Sequence, residues 1–363
     1  MKIINVVGAR PNFMKIAPIM EAYGGVPEIT PLLVHTGQHY DQRMSDLFFR
    51  QLGIPQPKVN LEVGSGSQAA QTAAIMTAFE PVVLEHKPDA VLVVGDVNST
   101  IACGLVAVKL GVRLVHVEAG LRSFDRTMPE EINRLLTDAI SDLLFCTEQS
   151  GVDNLRREGV DPGRIFLVGN VMIDTLLRQK AKADASPILD ELRLAPRGYA
   201  VLTLHRPGNV DDPTVFRRIL AAIREVQRDM VVVFPVHPRT RNNLARLGLG
   251  PELGAMENLR LIEPAGYLDF LKLTACAAVV LTDSGGIQEE TTILRVPCLT
   301  LRESTERPVT AEIGSNRVVG TRTEAIVSAY RDIRQGQARP CGTPPLWDGQ
   351  AAGRIVKVLR EKL

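Results

Sequence analysis

Short runs rich in Val, Ile and Leu recur along this chain, each followed by a longer amphipathic stretch, and this alternation restricts the fold more than any other feature. The first series reads KIINVVGA, PLLVHTG, AVLVVGD, RLVHVEA, LLFCTE and RIFLVGN. After a polar stretch from Arg178 to Arg197, with Pro187 and Pro196, a second begins: YAVLTLHR, MVVVFPVH, LRLIEPA, AVVLTDSGG, VPCLTLRE and RVVG. Apolar runs without polar alternation are what strands need when both faces are covered, so each series predicts a parallel sheet wrapped by helices. The class is α/β, in two doubly wound halves whose boundary lies around residues 171 to 198. Residues 1–171 make one domain and 172–346 the other. The last stretch, WDGQAAGRIVKVLREKL, reads as a helix behind the proline-rich loop RPCGTPPLWDG, and is expected to cross back so that 347–363 complete the first half. With 363 residues there is material for two cores.

Charge then removes several function classes. Lys plus Arg number 42 against 41 for Asp plus Glu, so a net charge of +1 supplies no general field for nucleic acid or an anionic membrane. Any anion site must be local. No apolar stretch has the length of a membrane span, and MKIINVVGARPNFMK breaks at Gly-Ala-Arg-Pro after one strand instead of continuing as a signal-peptide core, so the chain is expected to stay in the cytoplasm. Five scattered cysteines without a CxxC pair read as buried thiols. His35 and His39 lie four apart, but Thr36-Gly37 follows a strand directly and a helical ligand pair does not fit there, so no metal is expected. Neither GxGxxG nor a Walker GxxxxGK[ST] follows any strand, and no cofactor is expected.

In doubly wound sheets ligands bind beyond the carboxyl ends of the strands, and with two sheets the natural place is a cleft between them. Arg10, His35, Asp96, Glu118, His205, His237 and Asp283 each follow an apolar run. A polar residue there is commonly a turn former or cap, but His, Arg and Glu are not the usual turn residues. In GARPNFMK, Arg10 and Lys15 could neutralise phosphate while Gly8 admits close backbone approach; the alternative is a solvated cationic loop. GDVNST puts Asp96 at a strand tip, HVEAGLRS puts Glu118 at another, and MPEEINR opens a helix with Glu130 and Glu131. Converging carboxylates drive each other's pKa values apart, so one can serve as an acid while its neighbour is a base. For Glu130 and Glu131 simple complementation of the helix dipole is the competing reading. His205, with Arg206 in TLHRPGN, and His237 in FPVHPRTR could donate to a diphosphate or carry protons. TERPVT adds Arg307.

The run AVVLTDSGGIQEE carries the sharpest anion signal. A strand breaks at Asp283, Ser284, Gly285 and Gly286, leaving no bulky side chain over the first turn of the next helix, so its free N–H groups can face an anion. Glu290 would lie about one and a half turns along, placed to accept hydrogen bonds from a ribose diol. An ordinary Ser or Asp N-cap is the plain alternative.

The segments GARPNFMK, TGQH, GDVNST, HVEAGLRS with MPEEINR, HRPGNVDD, and DSGGIQEE with ERP, in this order, resemble the non-hydrolysing UDP-N-acetylglucosamine 2-epimerase family over nearly the whole chain. The resemblance implies two Rossmann-like domains with parallel sheets facing a central cleft (the GT-B architecture) and a homodimer. It implies interconversion of UDP-N-acetylglucosamine and UDP-N-acetylmannosamine by elimination of UDP to a glycal-like intermediate and re-addition. Under it, Asp96, Glu118, Glu130 and His205 are the catalytic set. Arg10, Lys15, His237, Ser284, Gly285, Gly286 and Arg307 serve the diphosphate, Glu290 matches a ribose ligand and Phe270 a residue near the uracil. Which carboxylate acts in which direction stays open, as does the sugar, plain or modified as in a 2,3-diacetamido uronate. A hydrolysing epimerase, a retaining glycosyltransferase and a non-catalytic nucleotide-sugar sensor are the alternatives. One departure stands out: members activated by a second substrate molecule carry Gln-His-Arg-Glu/Gln after the second strand and an arginine some two dozen residues later, where this chain has Gln38-His39-Tyr40-Asp41 and GSGSQ (Gly64 to Gln68). Hyperbolic kinetics are therefore expected.

Overall fold

A computed structural model describes residues 1–37 and 53–363, with Arg10 described by its backbone alone. The chain divides into two compact units, Met1–Leu177 with Pro345–Leu363, and Arg178–Pro344. In the first, β1 (Lys2–Val7), β2 (Thr30–His35), β3 (Val59–Asn60), β4 (Ala90–Val94), β5 (Arg113–Val117), β6 (Leu143–Cys146) and β7 (Ile165–Leu167) lie in the order 3-2-1-4-5-6-7. In the second, β8 (Tyr199–Thr203), β9 (Val231–Pro235), β10 (Leu259–Ile262), β11 (Val279–Thr282), β12 (Cys298–Thr300) and β13 (Asn316–Val318) lie in the order 10-9-8-11-12-13. The neighbouring strands pair parallel throughout. Both are doubly wound Rossmann-type sheets, and every apolar run read from the sequence became a strand. The two-residue β3 has no apolar run of its own; it is held by pairing Val34 with Val59 and His35 with Asn60.

The strands are apolar end to end because helices cover both faces. Residues Val91–Val94 and Tyr199–Leu202 are essentially solvent-free. One core packs Ile4, Val6, Val91 and Val93 under Ile75 and Phe79; another packs Leu202, Val232, Phe234 and Leu281 under Phe216, Ile219 and Ile223. In each unit the strand order reverses between two central strands, β1 and β4 in one and β8 and β11 in the other. Such switch points leave a crevice at the carboxyl ends, because the connecting helices depart to opposite faces.

Close approach at the first switch point fixes Gly8. A Cβ there would run into Ser99 Oγ and come within 2.7 Å of Thr36 Oγ1, two hydroxyls already hydrogen-bonded to each other at 2.7 Å. Asn12 adds a second tie, accepting from the Gly8 and Ala9 N–H groups and donating to Val94 O at 2.9 Å, so β1 and β4 end in register.

The terminal helix Ala351–Lys362 is anchored through its start: the Asp174 carboxylate accepts from the N–H groups of Ala351 and Ala352, the role of an N-cap supplied from another helix. Trp347, buried, donates its indole N–H to Thr147 O at 3.0 Å. No helix among the described residues is long and apolar enough to cross a membrane. All five cysteines are free.

Candidate active site

In the first unit β4 and β5 pair with Val94 opposite Val117, so the turns after them bring Asp96 and Glu118 out side by side in the sequence of strands. Glu118 is 5% exposed, and its φ of 75° is left-handed, a conformation that costs a non-glycine residue about 1 kcal/mol or more. Lys15, from the helix Arg10–Tyr23, reaches it: Nζ lies 2.6 Å from Glu118 Oε2, both side chains nearly solvent-free. The sequence offered Lys15 as a phosphate cation, whereas here its charge faces the carboxylate. Arg10 is the first residue of the same helix.

Asp96 has its own partner. Arg134, 3% exposed, donates to Asp96 Oδ2 and, at 2.6 Å, to Glu131 Oε2. Glu131 also accepts from Ser123 N and Oγ at 2.9 Å and from Phe124 N at 3.0 Å. It is therefore the member of the Glu130–Glu131 pair that builds the loop, while Glu130 stands half-buried on the first turn of the helix Pro129–Ile140. Positive and negative side chains thus interleave at this rim, Lys15 with Glu118 and Arg134 with Asp96 and Glu131. Sequence reading missed Arg134. Its signal was the i, i+3 spacing from Glu131 on a helix.

In the second unit the switch point is tied by Asp283. Its solvent-free carboxylate accepts from the N–H groups of His205 and Arg206 at 3.0 Å, from Asn209 Nδ2 at 3.2 Å and from His205 Nδ1 at 2.9 Å. Burial pushes this carboxyl upward, but the bonds and charge from His205 and the backbone N–H groups outweigh it and hold the pKa below the usual range. Asp283 therefore turns back to the HRPGN loop and orients His205, leaving Nε2 of a half-exposed ring as the outward nitrogen. The His237 ring centre lies 5.9 Å away; His237 N-caps the helix Pro238–Arg246, accepting from Arg239 N at 3.2 Å, which assigns its ring hydrogen to Nε2.

The helix Gly285–Leu294 starts behind Ser284, whose side chain makes no capping bond; Ser284 N donates to Thr282 Oγ1 at 3.0 Å. The plain N-cap reading fails here, and Gly285 and Gly286 open a first turn without a side-chain cap. A Cβ at Gly285 would meet Glu306 Oε1 at 2.9 Å. Glu306 is neutralised by Arg302 at 2.8 Å and Arg206 at 3.5 Å. Arg307 is buried, with Nε on Glu289 Oε1 at 2.6 Å. Glu290, 5% exposed, adjoins the Tyr267 hydroxyl, whose ionisation is held back by burial and by that carboxylate. Tyr267 begins the helix Tyr267–Cys276, which also carries the half-buried Phe270. Among the described residues no group of three or more His, Cys, Asp or Glu side chains is arranged to hold a metal ion. Gln38 to Asp41, including His39, lie outside the described residues.

Two Rossmann-type units, one with paired ions at its strand ends and the other with a histidine-flanked glycine turn, define an α/β protein of the GT-B class. The sequence profile of UDP-N-acetylglucosamine 2-epimerase matches residues 22–360. The UDP-N-acetylglucosamine 2-epimerase of Methanocaldococcus jannaschii is 42% identical across 99% of both chains. The UDP-2,3-diacetamido-2,3-dideoxy-D-glucuronate 2-epimerase of Pseudomonas aeruginosa is also 42% identical, again over 99% of each. The crystal structure of the M. jannaschii enzyme with UDP-GlcNAc and UDP matches with a TM-score of 0.93 at 41% identity, covering 99% of this chain and 100% of that one. That of the Neisseria meningitidis enzyme bound to UDP-GlcNAc matches at 0.90 and 29% identity, covering 100% of both. The chain belongs to the UDP-N-acetylglucosamine 2-epimerase family.

Proposed function

We propose that this chain inverts carbon 2 of UDP-N-acetylglucosamine, reversibly giving UDP-N-acetylmannosamine, and that the residues described above divide the chemistry between the two units. The observation that carries the reading is Glu118: a buried carboxylate on left-handed backbone, paired with a buried lysine. A parallel strand end has no need of that arrangement, and strained backbone of this kind clusters at active sites. The carbon 2 proton is weakly acidic, so its removal must be coupled to departure of UDP, which develops negative charge on the diphosphate. His205, held by Asp283, supplies a donor through Nε2; the N–H groups at Gly285 and Gly286 and the ring of His237 supply others, and Arg10 a further positive charge. Glu290 and Phe270 serve the nucleoside. Inversion requires proton removal on one face and delivery on the other, so two of Asp96, Glu118 and Glu130 act, one as base and one as acid, with Arg134 and Lys15 positioning Asp96 and Glu118.

The test is incubation with UDP-N-acetylglucosamine in heavy water, followed by NMR. Deuterium entering carbon 2 together with UDP-N-acetylmannosamine supports the reading; free N-acetylmannosamine would replace it by a hydrolysing enzyme, and no carbon 2 exchange would end it. Equal identity to the P. aeruginosa diacetamido-glucuronate epimerase favours a second reading, in which the hexose carries a 3-acetamido group and a 6-carboxylate. Comparing kcat/KM on the two sugars separates them. We further propose a cytoplasmic homodimer. Free cysteines suit a reducing compartment, and the neighbouring helices Gln68–His86, Asn98–Lys109 and Pro129–Ile140 expose Leu84, Val108 and Leu136. Light scattering after size exclusion measures the assembly; a monomer at working concentration would refute it.

A further inference from the structure

Between the turns that carry Asp96 and Glu118 lies a set of charged side chains that the reaction as derived does not use. His116 on β5 and Asp138 on the helix Pro129–Ile140 are 0% and 1% exposed, and Arg122 is 3% exposed. His116 Nδ1 lies 2.6 Å from Asp138 Oδ1, and its Nε2 lies 2.9 Å from Gly95 O. A carboxylate and a carbonyl oxygen can only accept, so both ring nitrogens are placed to donate. Asp138 stays ionised: burial raises its pKa, but the charges and hydrogen bonds of His116 and Arg122 pull it below the ordinary range. Its second oxygen accepts from Gly120 N at 3.0 Å and from Arg122 Nη1 at 2.7 Å. Arg122 in turn grips Glu158 through Nε and Nη2 at 2.8 and 2.6 Å, and Glu158 has its side chain 37% exposed.

The backbone atoms held by this set are informative. Gly95, with φ 72°, immediately precedes Asp96; Gly120, with φ 80°, follows Glu118 by two residues. One ion pair therefore fastens the carbonyl before one proposed acid/base carboxylate and the N–H after the other. Stability alone gives no reason for it, since buried ion pairs are commonly replaced by apolar side chains at no loss. We infer that His116 and Asp138 are positioning residues, a buried ion pair that fixes Asp96 and Glu118 relative to each other for proton transfer. This rests on the epimerase reading, and extends it to groups that never touch substrate.

Misplacement of reacting groups by an ångström costs about 100-fold in rate. Asp138→Asn keeps the shape but cannot accept on both sides, and His116→Gln cannot donate from two separate atoms, because its amide oxygen only accepts. Each is expected to lower kcat about 10- to 100-fold, to leave the Kd of UDP within about twofold, and to enlarge the isotope effect measured with substrate deuterated at carbon 2, because proton transfer then limits turnover more fully. Glu158→Gln, at the partly exposed end, leaves the buried pair in place and should fold regardless; a kcat loss of about three- to tenfold with a raised isotope effect is expected. Sites are counted by UDP titration. If kcat per UDP-binding site and the isotope effect match the parent in whichever of these variants fold, the set is merely structural and the inference falls. If the parent protein itself shows no carbon 2 exchange, the epimerase reading falls first.

Discussion

Replacing Asp283 by Asn tests how the second unit is wired. In the parent protein four donors share two carboxylate oxygens: Oδ2 takes the His205 and Arg206 N–H groups and Asn209 Nδ2, and Oδ1 faces His205 Nδ1. Asn offers one acceptor oxygen, which three donors recruit to the Oδ2 position, so its NH2 points at the imidazole. The ring must then accept at Nδ1. One charge-assisted hydrogen bond disappears, which is worth about 1.5–3 kcal/mol. For a unit of roughly 170 residues that lowers its thermal midpoint by about 4–8 °C. Nε2 still bears a hydrogen, so UDP still binds, but a ring no longer held by a carboxylate binds it about 3- to 10-fold more weakly, some 1 kcal/mol. Calorimetric titration with UDP and differential scanning calorimetry read both quantities. A variant with unchanged midpoint and unchanged Kd would refute the argument that Asp283 organises this loop.

Other expectations follow from single features. Asp138 and Asp283 both have depressed folded-state pKa values, so the stability they add is fully present above the unfolded Asp value of about 4 and is lost as pH falls through their folded values. Denaturant midpoints should therefore drop steeply only below about pH 4, and less steeply in the Asn variants; equal acid limbs would contradict this. Gly8→Ala forces a Cβ onto Ser99 and Thr36 and should cost about 1–3 kcal/mol in urea unfolding, with Ser99→Gly on that background restoring part of it. Burial pushes the thiol of Cys298 up to about 12 and those of Cys103 and Cys146 well up too. In the native protein a thiol reagent should thus spare these three and reach all five cysteines only after denaturation; rapid native labelling of Cys103 would be the contrary result. Initial rates against UDP-N-acetylglucosamine should be hyperbolic, and a sigmoidal curve would show activation by a second substrate molecule.

The sequence by itself determined the layered architecture, because parallel strands covered on both faces must be apolar along their whole length, and so each stood out as an unbroken run. It also pointed to the strand ends, where His205, Asp96 and Glu118 interrupt those runs with side chains a turn does not call for. It could not say which charge faces which. That Lys15 meets Glu118, that Arg134 reaches Asp96, and that Asp283 turns back to His205 depend on residues 38 to 103 positions apart being brought within hydrogen-bond reach. The same holds for His116, which reads in sequence as one more residue of a strand until Asp138 and Gly95 O close on its two nitrogens. Apolar burial acts on each residue's own side chain and leaves a local trace, whereas an ion pair is a property of two places in space, and only the folded sheets bring those places together.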